Sequence, residues 1–234
     1  MSSLLENVKS VQIQTIDYCN RKCSWCPNSK LDKRPDSLMP MELLNHVLSE
    51  LYTHGYQGRI NPYLMAEPLC DERILDVVKL IRYWFPNNNI RLSTNGDLLD
   101  GNVCGLLKAG VSTLYINHYD LKELGQVEDE TYPQVNHFGL MALMPSFYNR
   151  AGHVDVFRES KLDRCPWPNK KLYINWQGDV ILCCSDYNYE VVFGNLRSQP
   201  LDEIYNAPAY LEYRDAHLNG GGKHLRLCKD CNLI

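Results

Sequence analysis

The segment Cys19-Asn-Arg-Lys-Cys23-Ser-Trp-Cys26 places three thiols in eight residues, separated by three residues and then by two. Three thiolates this close can hold three irons of a [4Fe–4S] cube. The fourth iron then has no protein ligand and keeps an open position, as a catalytic zinc does. Soft sulfur ligands suit iron–sulfur clusters or zinc over hard cations. From spacing alone a structural zinc site, or a four-cysteine cluster completed from elsewhere in the chain, stays open.

The chain has ten cysteines in 234 residues. A disulfide framework explains them poorly in a reducing compartment, and ligation or catalysis explains them better. A second group lies within residues 165–231. Cys183 and Cys184 are adjacent, so on a strand they face opposite ways and only one can join a common site. A zinc ribbon would use two Cys-x2-Cys knuckles, whereas only Cys228-Lys-Asp-Cys231 forms one here. Cys104 sits among apolar helix positions and reads as core. Cys70 is expected near the mouth of the site, either as a hydrogen-atom donor or as a small passive residue.

The elements that must position these thiols follow from periodicity. Residues 11–17 alternate and read as a strand that delivers the first cysteine loop. Pro40 opens a helix with Leu43, Leu44, Val47, Leu48 and Leu51 on one stripe. Further strands are expected at 59–64, 90–93, 113–117 and 138–144, with helices at about 71–85 and 98–109. Residues 121–132 are acidic and weakly patterned. This alternation predicts parallel βα units, curled by right-handed crossovers. The chain is too short for eight units, which take about 250 residues. The expected fold class is therefore α/β: a partial, TIM-like (β/α) barrel of five to six parallel strands over residues 1–150. In such folds active sites lie at the carboxyl ends of the strands, where the cysteine loop begins. Residues 151–234 are expected to form a small second domain. It would hold a β-hairpin, 172–176 and 180–184 around Gln177-Gly178-Asp179, and two short helices near 201–206 and 208–218.

Composition supports a soluble globular chain, 44% hydrophobic and 22% charged, with a formal net charge of -4. Nothing in that balance favours nucleic acid, which needs a basic face. The basic residues of the cysteine loop are interrupted by Asp32 and Asp36 and read as a solvated face. No apolar run reaches the ~20 residues needed to span a bilayer. The first ten residues lack the basic start and apolar stretch of a signal peptide. A cytoplasmic, membrane-free protein is expected.

With these features in place, Cys-x3-Cys-x2-Cys after a first strand resembles the radical S-adenosylmethionine superfamily. Met65-Ala66-Glu67-Pro68 resembles its Gly-Gly-Glu-Pro segment, with both glycines replaced. Ser93-Thr94-Asn95-Gly96 resembles its Thr-Asn-Gly ribose segment. The pattern Cys165-x12-Gly178-x4-Cys183, with Cys228 and Cys231, resembles the SPASM auxiliary-cluster extension in its shortened twitch form; the Gly-x4-Cys spacing selects Cys183 over Cys184. The resemblance implies two [4Fe–4S] clusters, one on Cys19, Cys23 and Cys26, the other on Cys165, Cys183, Cys228 and Cys231. It implies S-adenosylmethionine contacts from Glu67, Trp25, Ser93, Thr94, Asn95 and Asn117, and cleavage of that cofactor to a 5′-deoxyadenosyl radical. Asn149-Arg150-Ala151-Gly152 is similar to a segment of small twitch-type dehydrogenases in which the arginine lies near substrate hydroxyls. The expected reaction is oxidation of a small polar substrate, such as a sugar or cyclitol alcohol, with Arg150, His118 or Tyr119 near it and the auxiliary cluster accepting an electron. An electron donor such as flavodoxin or ferredoxin is expected. The alternatives are an epimerase using Cys70, a peptide-modifying enzyme, or a non-catalytic cluster- or zinc-binding module.

Overall fold

Apolar residues at every second strand position give each strand one face for the helices and one for the barrel interior. The computed structural model describes residues 4–121, 126–143, 147–155 and 163–232. Strand β1 (Ser10–Ile13) pairs in parallel with β2 (Arg59–Asn61). An isolated parallel bridge, Ile60 to Ile90, carries the sheet on towards β3 (Arg91–Thr94). From there β4 (Thr113–His118) and β6 (Val135–Gly139) continue in parallel, and β5 (Gln126–Glu128) runs antiparallel against β6. The result is an open, partial barrel; among the described residues the sheets do not close.

The helices cover the outer face. In α1 (Met41–Thr53), Leu43, Leu44, Val47, Leu48 and Leu51 are buried, the stripe expected from sequence. In α2 (Ile74–Trp84) the stripe is Ile74, Val77, Val78 and Ile81. With α3 (Val103–Ala109) they bury Val11, Ile13, Ile60, Leu92, Leu114 and Ile116 in one core. The intervening strand residues are polar, including Gln12, Ser93 and Asn117, and turn to the interior cavity. Each strand's alternation therefore separates packing from chemistry.

The C-terminal part is built onto the same sheet. After the short helices α4 (Leu140–Leu143) and α5 (Trp167–Lys170), β7 (Lys171–Ile174) pairs in parallel with the free edge of β1, Ser10 opposite Lys171 and Ile13 opposite Ile174. Strands β8 (Asp179–Ile181) and β9 (Val192–Asn195) extend it antiparallel. Gly178, with φ +92°, makes the hairpin turn, and Asn175 Oδ1 accepts from the amides of Gln177 and Asp179. Two helices, α6 (Leu201–Tyr205) and α7 (Pro208–Asn219), bury Leu201, Ile204 and Tyr210 against the main core.

Three sequence expectations are corrected. The strand expected at 138–144 lies at 135–139, and residues 140–143 are helical. The weakly patterned acidic stretch contains β5, whose pairing comes from β6 and not from its own periodicity. The short β9 was not anticipated; it is set by its ladder with β8 and by Asn195, which bonds Asp179 across the hairpin at 2.7 Å. No helix among the described residues is long and apolar enough to cross a membrane.

Candidate active site and the second cysteine site

The first cysteine loop leaves the carboxyl end of β1 and is tied at its base by an antiparallel bridge between Ile16 and Leu38. Its tip is stapled to the ends of β3 and β4. Arg21 reaches both oxygens of Asp97, at 2.6 and 2.5 Å, and Asp120 at 2.6 Å. Asn20 donates to Asp97 and accepts from Asn95 Nδ2 at 2.8 Å. Lys22 Nζ donates to the carbonyls of Asn28 and Leu31, closing the loop on itself. Sequence alone suggested a solvated basic face, but Arg21 and Lys22 hold the loop's shape.

This brings Cys19, Cys23 and Cys26 to one wall of a cavity of about 260 Å³. Trp25, Glu67, Ser93, Thr94, Asn95, Asn117 and Arg150 line the same cavity. Glu67 is buried. Its Oε1 accepts from Thr94 Oγ1 at 2.6 Å and from the Leu69 amide at 3.1 Å, and Oε2 accepts from the Asn95 amide at 2.8 Å. Burial pushes its carboxyl above the usual range, against the pull of these donors. Asn117 donates to Ser93 Oγ at 2.9 Å. Trp25 stacks on Phe147, ring centroids 5.4 Å apart and planes at 17°, and leans on Tyr119. A planar base could take up such an aromatic surface. Burial pushes the Cys19 thiol up to about 12 and also raises Cys23. A cluster bound by these thiols would displace their protons.

Arg150 is drawn in by an unusual backbone. Arg150, Ala151 and Gly152 have φ of +49°, +57° and +88°. Two consecutive non-glycine residues in the left-handed region are costly. The turn sets the guanidinium over the Tyr148 ring, 4.4 Å from its centroid.

Two expected residues are not brought into the cavity. His118 follows Asn117 on β4 and so faces the opposite side, where Nε2 meets His137 Nδ1 at 2.8 Å and His137 meets Asp129 at 3.2 Å. Cys70 ends the 3-10 turn Pro68–Cys70, and its thiol points at Asn20 Oδ1, 3.8 Å away. A different thiol, Cys184, lines the cavity, with Tyr187 beside it. Cys184 had no sequence signal beyond its place next to Cys183, and nothing in the sequence singled out Tyr187.

The second cysteine group surrounds its own, mostly apolar cavity of about 40 Å³. Cys165, Cys183, Cys228 and Cys231 all line it, and Cys184 does not. The adjacent pair is thus divided between two cavities, though not by strand alternation: the strand expected at 180–184 ends at Ile181, and both cysteines lie in the turn that follows it. Burial pushes Cys165 up to about 11 and Cys228 up to about 12. His217 accepts from the Cys165 amide through Nδ1, and its Nε2 lies 3.4 Å from Cys228 Sγ. Among the described residues no three His, Cys, Asp or Glu converge on a single-ion site. Four thiols around a void suit a multi-atom cluster of soft ligands better than one tetrahedral zinc.

The two cavities share a thin wall. Arg150 and Cys184 face the larger one; their neighbours Ala151 and Cys183 face the smaller. Tyr148 bonds Ser185 Oγ at 2.6 Å within this wall, and fully buried Tyr173 packs beside both Cys183 and Cys184.

Residues 165–232 match the SPASM family model, an iron-sulfur cluster-binding domain. Over 238 residues the chain is 24% identical to the S-adenosyl-L-methionine-dependent 2-deoxy-scyllo-inosamine dehydrogenase of Niallia circulans, covering 96% of this chain and 92% of that protein. The crystal structure of BtrN in complex with AdoMet and 2-DOIA superposes with a TM-score of 0.83 at 23% identity, over 96% of this chain and 93% of that one. The chain has the BtrN fold. An open conformation of BtrN superposes less closely, with a TM-score of 0.76 over 96% of this chain and 92% of that one, at 21% identity. The partial barrel expected from sequence is thus the BtrN architecture, and the SPASM match begins at Cys165 and takes in all four thiols of the second cavity.

Proposed function

We propose that this chain is a radical S-adenosylmethionine enzyme that oxidises a small polar alcohol of the sugar or cyclitol type. The observation that carries this reading is the single cavity gathering the three-cysteine loop, Glu67, the Ser93–Asn95 segment and Arg150. Similarity along 96% of the chain to a dehydrogenase named for an aminocyclitol supports the substrate class.

The donor set fits the cofactors. Cys19, Cys23 and Cys26 would hold one [4Fe–4S] cluster with an open iron, and Cys165, Cys183, Cys228 and Cys231 a second, fully ligated one. Bound together, the first cluster and S-adenosylmethionine would supply a 5′-deoxyadenosyl radical able to remove a carbon-bound hydrogen. Glu67 would accept from the amino group of S-adenosylmethionine. Ser93, Thr94, Asn95 and Asn117 offer polar groups to its ribose, and Trp25 a face to its adenine. Arg150 would orient the substrate hydroxyl by a charge-assisted hydrogen bond. The wall behind it borders the second cysteine site, which would accept the one electron that remains after hydrogen abstraction, while the hydroxyl proton would pass to a base. A division near residue 150, a cytoplasmic location and a flavodoxin or ferredoxin as reductant complete the proposal.

The test is anaerobic reconstitution followed by turnover. Two cubane clusters require about eight irons per chain. Reduced enzyme with S-adenosylmethionine and a panel of cyclitol and sugar alcohols is expected to release 5′-deoxyadenosine together with a ketone product. Bound zinc with no iron, or no 5′-deoxyadenosine under any reducing condition, refutes the reading. One alternative has its own observation: the cavity thiol Cys184 would return a hydrogen atom to a substrate carbon in an epimerase. Cys184→Ala then abolishes product formation, whereas a dehydrogenase keeps forming the ketone.

A further inference from the structure

Tyr187 belongs to the SPASM-matched segment, yet its hydroxyl lies 3.7 Å from the Sγ of Cys26, 161 residues earlier. Tyr187 is 7% exposed and packs with Met65, Tyr173 and Ile181, with Lys33 Nζ 5.8 Å from its ring centroid. A buried phenol needs a partner for its O–H, and Cys26 Sγ occupies that position. A coordinating thiolate has no proton to give, so in the loaded protein Tyr187 is the donor.

We propose that Tyr187 donates a hydrogen bond to the Cys26 sulfur and thereby raises the reduction potential of the cluster held by Cys19, Cys23 and Cys26. This rests on those cysteines being cluster ligands, as proposed above. Reduction adds one electron from an external donor and increases the negative charge on the sulfur ligands. A fixed O–H donor stabilises the more negative, reduced form more than the oxidised one. Hydrogen bonds to cluster sulfurs set potential in this way. The phenol keeps its proton throughout, and no covalent bond to Cys26 forms or breaks. Tyr187 is thus a positioning residue, and it makes the auxiliary segment a determinant of how hard the radical site is to reduce.

The experiment is potentiometry of the anaerobically reconstituted full chain, wild type against Tyr187→Phe, with dithionite-poised samples read by EPR and iron counted in each. The three-cysteine cluster is expected to shift to more negative potential in the variant, with the four-cysteine cluster unmoved. An unchanged potential overturns the proposal. So does an equal shift of both clusters, or loss of iron, because either makes Tyr187 a packing residue only. If the variant does not fold, deuterium exchange of the wild type decides. A deuteron magnetically coupled to the reduced three-cysteine cluster supports the bond, and its absence overturns it. Absence of a cluster on Cys19, Cys23 and Cys26 in the wild type, seen in the iron count, overturns the cluster reading itself and is distinguished from failure at Tyr187.

Discussion

Glu67 shows at residue scale how one side chain serves fold and site together. It ends the loop after β2, and its two oxygens collect the Leu69 amide, the Asn95 amide and the Thr94 hydroxyl. It therefore fixes the Ser93–Asn95 segment on the cavity wall, the segment proposed to meet the cofactor ribose. Glu67→Ala leaves these donors without an acceptor and is expected to destabilise the chain by about 1–3 kcal/mol, the cost of unmet buried polar groups. Relief of the buried carboxylate offsets part of this, so the lower half of the range is expected. Thermal denaturation measures the first effect. Equilibrium dialysis with S-adenosylmethionine measures the second expected outcome, a loss of binding larger than the stability change explains. Glu67, Ser93, Thr94 and Asn95 were legible in the sequence because they sit at strand ends in a recognisable order. Cys184 and Tyr187 were not, because nothing in a one-dimensional pattern says which cavity a residue beyond a hairpin will face.

At the scale of elements, the β7–β8 hairpin carries the most consequence. Its turn must place Cys183 on one side of the shared wall and Cys184 on the other. Gly178 holds φ +92°, and a Cβ there would meet Leu43 of α1 at 3.2 Å. Gly178→Ala is therefore expected to cost about 1–2 kcal/mol from the left-handed backbone alone, with the Leu43 contact adding to it. Urea denaturation checks the stability. Iron content checks whether the second cysteine site suffers first, and loss of all iron with unchanged stability would contradict this account. The α1 stripe and the places of most strands were read correctly because burial on one face imposes a period, whereas α2 buries Val77 where Leu75 was expected. Strand β5 and the true position of β6 were missed because short strands take their identity from the neighbour they pair with.

At the scale of the molecule, the barrel and the SPASM-matched segment share one sheet. β7 covers the edge of β1, and α6 and α7 close over the same core. An uncovered parallel edge is prone to pairing with other chains. A variant ending at residue 164 is thus expected to associate or aggregate on size-exclusion chromatography, even though the three-cysteine loop is intact. A monodisperse, folded monomer of that length would show that the barrel stands without β7.

By itself the sequence determined the thiol spacing, the α/β alternation and the likeness to radical S-adenosylmethionine proteins, since these depend on residue type, short spacing and period. The tertiary structure alone decided which polar residues share a space. It turned His118 away from the cavity by strand alternation and aimed Cys70 at Asn20 instead of at the site. It split Cys183 from Cys184 across a wall and brought Tyr187 to Cys26 over 161 residues. Such placements follow from sheet register and chain crossing, which couple distant positions and leave no local trace.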